Sequence, residues 1–130
     1  MEARVEEKEF RFNAKFTPQA WFTVWSDDLA DILSNLAKVR DMLTIVVDGA
    51  RGRATFYASS FEAFALYSLR AWSVKGFGRV RVYAQPLAEK AKILADKGVD
   101  ATVTLTREGV LKVAWDYNLA VEYYQAPQRE

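Results

Sequence analysis

Between Arg51 and Tyr83 the chain interleaves cations with flat rings. Six basic residues fall there, Arg51, Arg53, Arg70, Lys75, Arg79 and Arg81. They face one acid, Glu62, giving a local charge of +5 in a chain whose net charge is +1. The same stretch carries Phe56, Tyr57, Phe61, Phe64, Tyr67, Trp72 and Phe77. Cationic side chains can follow a phosphate backbone while rings give each base a surface to stack on. That is the chemistry of a sequence-tolerant single-strand site. The plain structural reading is a core helix between two strands, with the arginines on a solvated face. Basic clustering is only a footprint.

Other chemistry is scarce. The chain has no cysteine, which excludes disulfides, thiolate metal sites and thiol nucleophiles. It has no histidine, which removes the usual general base and the usual nitrogen ligand. Asp27 and Asp28 suit a helix N-terminus, with no histidine or third carboxylate nearby to hold a metal. Neither GxGxxG nor GxxxxGK[ST] occurs. These absences point to a non-enzymatic protein with no cofactor and no metal. At 130 residues, 51% hydrophobic and 27% charged, the chain suits one domain over 1–130. Residues 1–8 and 126–130 read as flexible ends. No run of about 18 apolar residues exists, so no membrane span is expected. MEARVEEKEF lacks the apolar centre of a secretory signal, which makes the cytoplasm the default. Three asparagines and no cysteine fit a thermophilic source.

The elements that must position the basic residues follow from periodicity. EFRFNAKF (9–16) alternates and reads as a strand. AWFTVW (20–25) has no clear period and is either a strand or an apolar loop. Ser26 is placed to cap a helix over 27–41, with Leu29, Ile32, Leu33 and Leu36 on one face. LTIVVD (43–48) and RATFYA (53–58) flank a turn and read as a hairpin. Ser59 and Glu62 make a capping-box pattern before a helix over 60–73 whose stripe is Phe61, Ala65, Leu69 and Trp72. RVRVYA (79–84) reads as a strand, and Pro86 opens a third helix that Gly98 closes. On that helix Glu89 and Lys92 are placed to pair. Strands 101–106 and 110–117 form a hairpin, and NLAVEYYQ reads as a helix start. Strand, helix, hairpin, helix over 9–73 recurs in element order over 79–125. The class is α+β, a largely antiparallel sheet with helices packed on one face.

Strand alternation then sorts the basic residues. If the apolar sides bury under the helices, Arg53, Tyr57, Arg79, Arg81, Tyr83, Thr104 and Lys112 share the open face. Arg51, Arg70 and Lys75 complete the basic set. Trp72, on the helix stripe, reads as core. Trp21, Phe22 and Trp25 are core or cleft, and a cleft of such rings rimmed by arginines would also hold single-stranded bases. Sheet face and cleft both stay open as the place of the ligand.

The element order, the aromatic density and the arginine–aromatic segment over 9–125 resemble the ThermoDBP family, single-stranded-DNA-binding proteins of thermophilic archaea. The resemblance implies a basic, aromatic cleft that binds single-stranded DNA without sequence preference, with RNA an open alternative. It also implies dimerisation through a C-terminal coiled coil. Here QAPQRE follows Tyr124 without heptads, so a homodimer requires that the natural chain continue. A second resemblance is to half of a sliding clamp, whose repeat unit is a helix plus strands. GVDATVTLTREGVLKVAWDY is similar to that family's hairpin, while the helix expected at 60–73 stands where a clamp is mostly strand. The expected function is sequence-independent single-stranded-DNA binding. The alternative is a protein-interaction or sliding-clamp-like oligomerisation module.

Overall fold

The structure, a computed structural model, describes residues 16–59, 64–69 and 71–128. Strand β1 (Pro18–Trp25) leads into helix α1 (Ser26–Val39), followed by β2 (Met42–Asp48), β3 (Arg53–Ser59) and β4 (Phe64–Leu69). Strand β5 (Trp72–Tyr83) leads into α2 (Ala84–Leu94), followed by β6 (Asp100–Thr106), β7 (Leu111–Asp116) and β8 (Ala120–Gln125). Each half is therefore one strand, one helix and three strands. The sheet order is β4-β3-β2-β5-β1-β6-β7-β8, and every described pairing is antiparallel. Exchanging β1 with β5, β2 with β6, β3 with β7 and β4 with β8 returns the same order read backwards. The sheet thus has a pseudo-dyad between β1 and β5. The repeat was legible as element order, but its bounds are 18–69 and 72–125, and its last elements are strands. The strand expected over 9–16 falls mainly outside the described residues.

Alternation builds the buried side. Ala20, Phe22 and Val24 of β1, Leu43, Ile45 and Val47 of β2, and Ala54, Phe56 and Ala58 of β3 are buried. So are Val80 and Val82 of β5, Val103 and Leu105 of β6, and Leu111, Val113 and Trp115 of β7. Leu29, Leu33 and Leu36 of α1 and Leu87, Ala88 and Ala91 of α2 join them in one core, so both helices lie on one face of the sheet. Phe22 meets Phe56 edge-on, with ring centroids 5.7 Å apart at 89°. AWFTVW lacks a clear period because β1 carries apolar residues on both sides. It is a central strand with Trp21 and Trp25 outward.

Three local expectations are corrected. Residues 64–69 form a strand, since β3 takes their backbone groups with Ala58 opposite Ala65 and Ala54 opposite Leu69. Phe61, Ala65, Leu69 and Trp72 do fit a helical stripe, yet sheet pairing overrides local periodicity. Residues 60–63, with Glu62 of the expected capping box, and Arg70 lie outside the described residues. Residues 120–125 form β8 against β7, Val113 opposite Tyr123, instead of starting a helix. Ser26 does not cap α1. It is the first helical residue, with Trp25 at the cap position, and its hydroxyl donates to the Asp96 carbonyl at 2.9 Å. On α2, Gln85 donates to the Glu89 carboxylate at 3.1 Å.

The two halves join through glycines. Gly76 on β5 lies opposite Ala20 on β1 with φ +77°, and its carbonyl accepts from the Gly49 amide at 2.7 Å. A Cβ at Gly76 would run into the Gln19 carbonyl, and one at Gly49 would lie 2.6 Å from the Gly76 nitrogen.

Candidate functional site

Residues directly opposite in an antiparallel pair point to the same side. Thr44 lies opposite both Tyr57 and Arg81, Val46 opposite Thr55 and Arg79, and Asp48 opposite Arg53 and Phe77. Tyr83 lies opposite Met42, and Lys112 opposite Thr104. Arg53, Tyr57, Arg79, Arg81, Tyr83, Thr104 and Lys112 therefore do share the side away from the helices.

Only part of that set converges. A recess of about 200 Å³ is lined by Arg40, Arg79, Arg81, Tyr57, Thr44 and Met42. Strands β2, β3 and β5 supply its floor, and Arg40, just past α1, supplies its rim. Its described lining holds three arginines, a threonine and a tyrosine, and no acidic residue among the described ones. Arg79 is exposed and makes no ion pair among the described residues. Reasoning from sequence missed Arg40, Thr44 and Met42. The outward parity of Met42 and Thr44 in MLTIVVD was the available signal. Arg40 reaches the recess only through the path of the chain leaving α1.

The remaining predicted residues lie elsewhere. Arg51 sits in the β2–β3 turn, its Nε 3.7 Å from an Asp48 carboxylate oxygen. Lys75 lies opposite Trp21. From Lys75 to Arg81 along β5 is roughly 20 Å at about 3.3 Å per residue. Trp25 and Trp72 meet with centroids 4.9 Å apart and planes tilted by 59°, both partly exposed, so Trp72 is not the core residue its stripe suggested. Phe22 is fully buried and reaches no ligand. Lys112 lies across β6 and holds Glu122 at 2.8 Å. Burial alone would lower its ammonium pKa. The hydrogen bond to Glu122 and the negative charge of Tyr124 and Glu122 outweigh burial and raise it above the ordinary 10.5. Burial raises the Tyr123 and Tyr124 phenols. Phe77 and Tyr83 flank Arg79 and Arg81 at alternate positions of β5 on this side, and Tyr57 is the ring among the described lining residues of the recess.

The helix side is not basic. Its exposed charges are Asp27, Asp28, Asp31 and Glu89 against Lys38, Lys90 and Lys92. No group of three metal-ligating side chains occurs among the described residues. No described helix is long and apolar enough to cross a membrane.

The two ends of the sheet differ from its middle. Strands β4 and β8 each have one hydrogen-bonded neighbour among the described residues. Their sequences are FALYSL and AVEYYQ, and neither contains lysine, arginine or proline. Natural edge strands are commonly blunted by such residues because their free amides and carbonyls invite another strand.

The class of fold is that of a sliding-clamp domain. An archaeal clamp protein, A. fulgidus PCNA with the C-terminal region of FEN-1 bound, superposes with a TM-score of 0.78 at 16% identity, covering 88% of this chain and 48% of that one. Proliferating Cellular Nuclear Antigen from Entamoeba histolytica superposes with a TM-score of 0.73 at 16% identity, covering 87% of this chain and 47% of that one. The chain spans about half the length of these structures. No protein-family description and no curated protein matches it. The single-stranded-DNA reading is thereby corrected. The fold is that of clamp domains, one of them carrying a bound protein segment. The strand at 64–69 removes the one objection the sequence raised against a clamp.

Proposed function

We propose that the protein is a non-catalytic, clamp-like interaction module that assembles through its sheet edges. The observation that carries this reading is the pseudo-dyad sheet, which ends on both sides in strands without lysine, arginine or proline. In that arrangement β4 of one copy can continue the sheet of another through β8. A second copy, or another domain of the same fold, would supply the half that a full-length clamp chain adds. The segment of FEN-1 bound to the archaeal relative suggests the kind of partner, a peptide stretch of another protein.

Proline substitution in β8 tests the assembly. Successive residues of a strand direct their N–H groups to opposite edges. Of Glu122→Pro and Tyr123→Pro, one removes a bond to β7 and the other an outward amide. Light scattering at several concentrations should find wild type in a discrete oligomer, and the outward variant folded but monomeric. A wild type that stays monomeric at every concentration refutes the reading, as does assembly that both variants retain.

A further inference from the structure

From the cleft beside Trp25 we infer a site that takes an arginine side chain from a partner protein's peptide. This rests on the interaction-module reading and deepens it by giving the partner's chemistry. The place is away from the sheet edges, since β1 is a central strand. The cleft holds about 410 Å³ and is lined by Trp25, Asp27, Asp28, Lys97 and Gly98. Trp25 ends β1, and the two aspartates lie in the first turn of α1. Lys97 and Gly98 belong to the turn between α2 and β6. Ser26 ties these three pieces together and is fully buried. Its hydroxyl donates to the Asp96 carbonyl at 2.9 Å and accepts from the Asp96 amide at 3.1 Å. Its own amide donates to the Val99 carbonyl at 2.9 Å. The walls are thus held together before any ligand arrives, which lowers the cost of binding.

A bulge brings a second ring to the first. The pairing of β1 with β5 slips between Trp21 and Thr23, and Ser73 has φ +55°, a backbone that residues other than glycine seldom adopt. Bulges re-aim side chains, and here Trp72 meets Trp25 with the two planes tilted by 59°. Trp25 still has 44% of its surface exposed. A guanidinium can lie flat on an exposed indole face while its N–H fork points to a carboxylate. Asp27 and Asp28 supply carboxylates beside that ring. Asp27 accepts from the Asp28 amide at 2.9 Å, and a carboxylate offers about four acceptor positions. Two aspartates against Lys97 give the described lining a charge of −1. Asp100 stands opposite Trp25 on β6. An acidic rim attracts a basic side chain and repels a nucleic-acid phosphate. The planar guanidinium suits ring and carboxylate together, as the compact ammonium of lysine does not. Aspartates also suit the positive start of α1, but that accounts for the acids and not for the exposed ring pair beside them.

The test is a heteronuclear NMR titration of the isotope-labelled full chain with the blocked peptide Gly-Ser-Arg-Ser-Gly. The same peptide with citrulline or lysine in place of arginine, and an oligothymidylate, complete the set. The arginine peptide should shift the Trp25 and Trp72 indole signals and the Asp28 and Gly98 amides saturably, and leave the buried Trp115 indole unmoved. Citrulline should shift none of them, and lysine should bind several-fold more weakly. Asp28→Asn should weaken binding about fivefold through a lost charge-assisted bond. Trp25→Leu should weaken it about two- to fivefold through the lost cation–π contact. Lys97→Gln should tighten binding, because it removes the competing cation from the lining. Asp31→Asn removes equal charge from the same helix, outside the lining, and should change binding less than twofold. Equal losses for Asp28→Asn and Asp31→Asn would mean a diffuse field and overturn the site. So would lysine binding as tightly as arginine, tighter binding of the oligothymidylate at the same signals, or no saturable shift of the Trp25 indole. Light scattering on the same samples separates the two readings. Assembly without these shifts overturns the cleft alone, and these shifts in a strict monomer overturn the assembly alone.

Discussion

Gly76→Ala compared with Gly52→Ala isolates the junction between the two halves of the sheet. Both glycines have a left-handed backbone, with φ +77° at Gly76 and +62° at Gly52. An alanine there costs about 1–2 kcal/mol of backbone strain at either position. At Gly52 nothing lies within 4 Å of the added Cβ, so strain is the whole effect. At Gly76 the Cβ would meet the Gln19 carbonyl and lie 2.9 Å from the Ala20 Cα. Both are backbone atoms of β1 and cannot rotate aside, so β1 and β5 must separate. Overpacking of that kind adds about 1–3 kcal/mol. Gly76→Ala should therefore cost about 2–5 kcal/mol, a large part of the roughly 5–15 kcal/mol that holds a domain folded. Urea unfolding followed by circular dichroism reads the difference as a shift in midpoint at constant slope. Equal shifts for the two variants would refute the close approach of β1 and β5 and the junction built on it.

Trp115 keeps the usual expectation for a tryptophan on an apolar stripe, and Trp72 departs from it. Trp115→Ala, at 0% exposure, should cost about 3–5 kcal/mol by leaving a cavity. Trp72→Ala, 38% exposed and packed at a tilt against Trp25, should cost about 0.5–1.5 kcal/mol beyond its buried area. The same urea melts measure both. Stability should stay flat between about pH 6 and 9, because without histidine no side chain titrates there at its ordinary pKa. Above that range Lys112, Tyr123 and Tyr124 all have folded pKa values raised from 10.5 and 10.0. Raised values mean stabilisation fully present below the unfolded pKa and lost as pH rises through the folded one. Thermal melts should therefore fall above about pH 10, and Lys112→Met should lessen the drop.

The fold class was legible because most strands carry one buried side. LTIVVD, RATFYA and DATVTLT announce themselves by alternation, and α1 by Leu29, Leu33 and Leu36. The outward placement of Arg53, Arg79 and Arg81 followed from the same parity. What escaped depends on neighbours far away in sequence. FALYSL fits a helical stripe until β3 supplies its ladder, and AWFTVW loses its period because the central strand exposes Trp21 and Trp25 on its outer side. The recess was half legible. Arg79 and Arg81 stand on one strand, but Thr44 joins them only through the β2–β5 register. Of the interleaved cations and rings, Phe77, Arg79, Arg81 and Tyr83 keep to the outer side of β5, while Phe56 is buried in the core.

Hydrogen exchange at the two sheet edges tests assembly most directly. In β4 and β8 every second amide points away from the single neighbouring strand. These amides should exchange freely in dilute protein and become protected as concentration rises, in both strands together. If they exchange freely at all concentrations while the core strands stay protected, the edges do not pair and the module does not assemble as proposed.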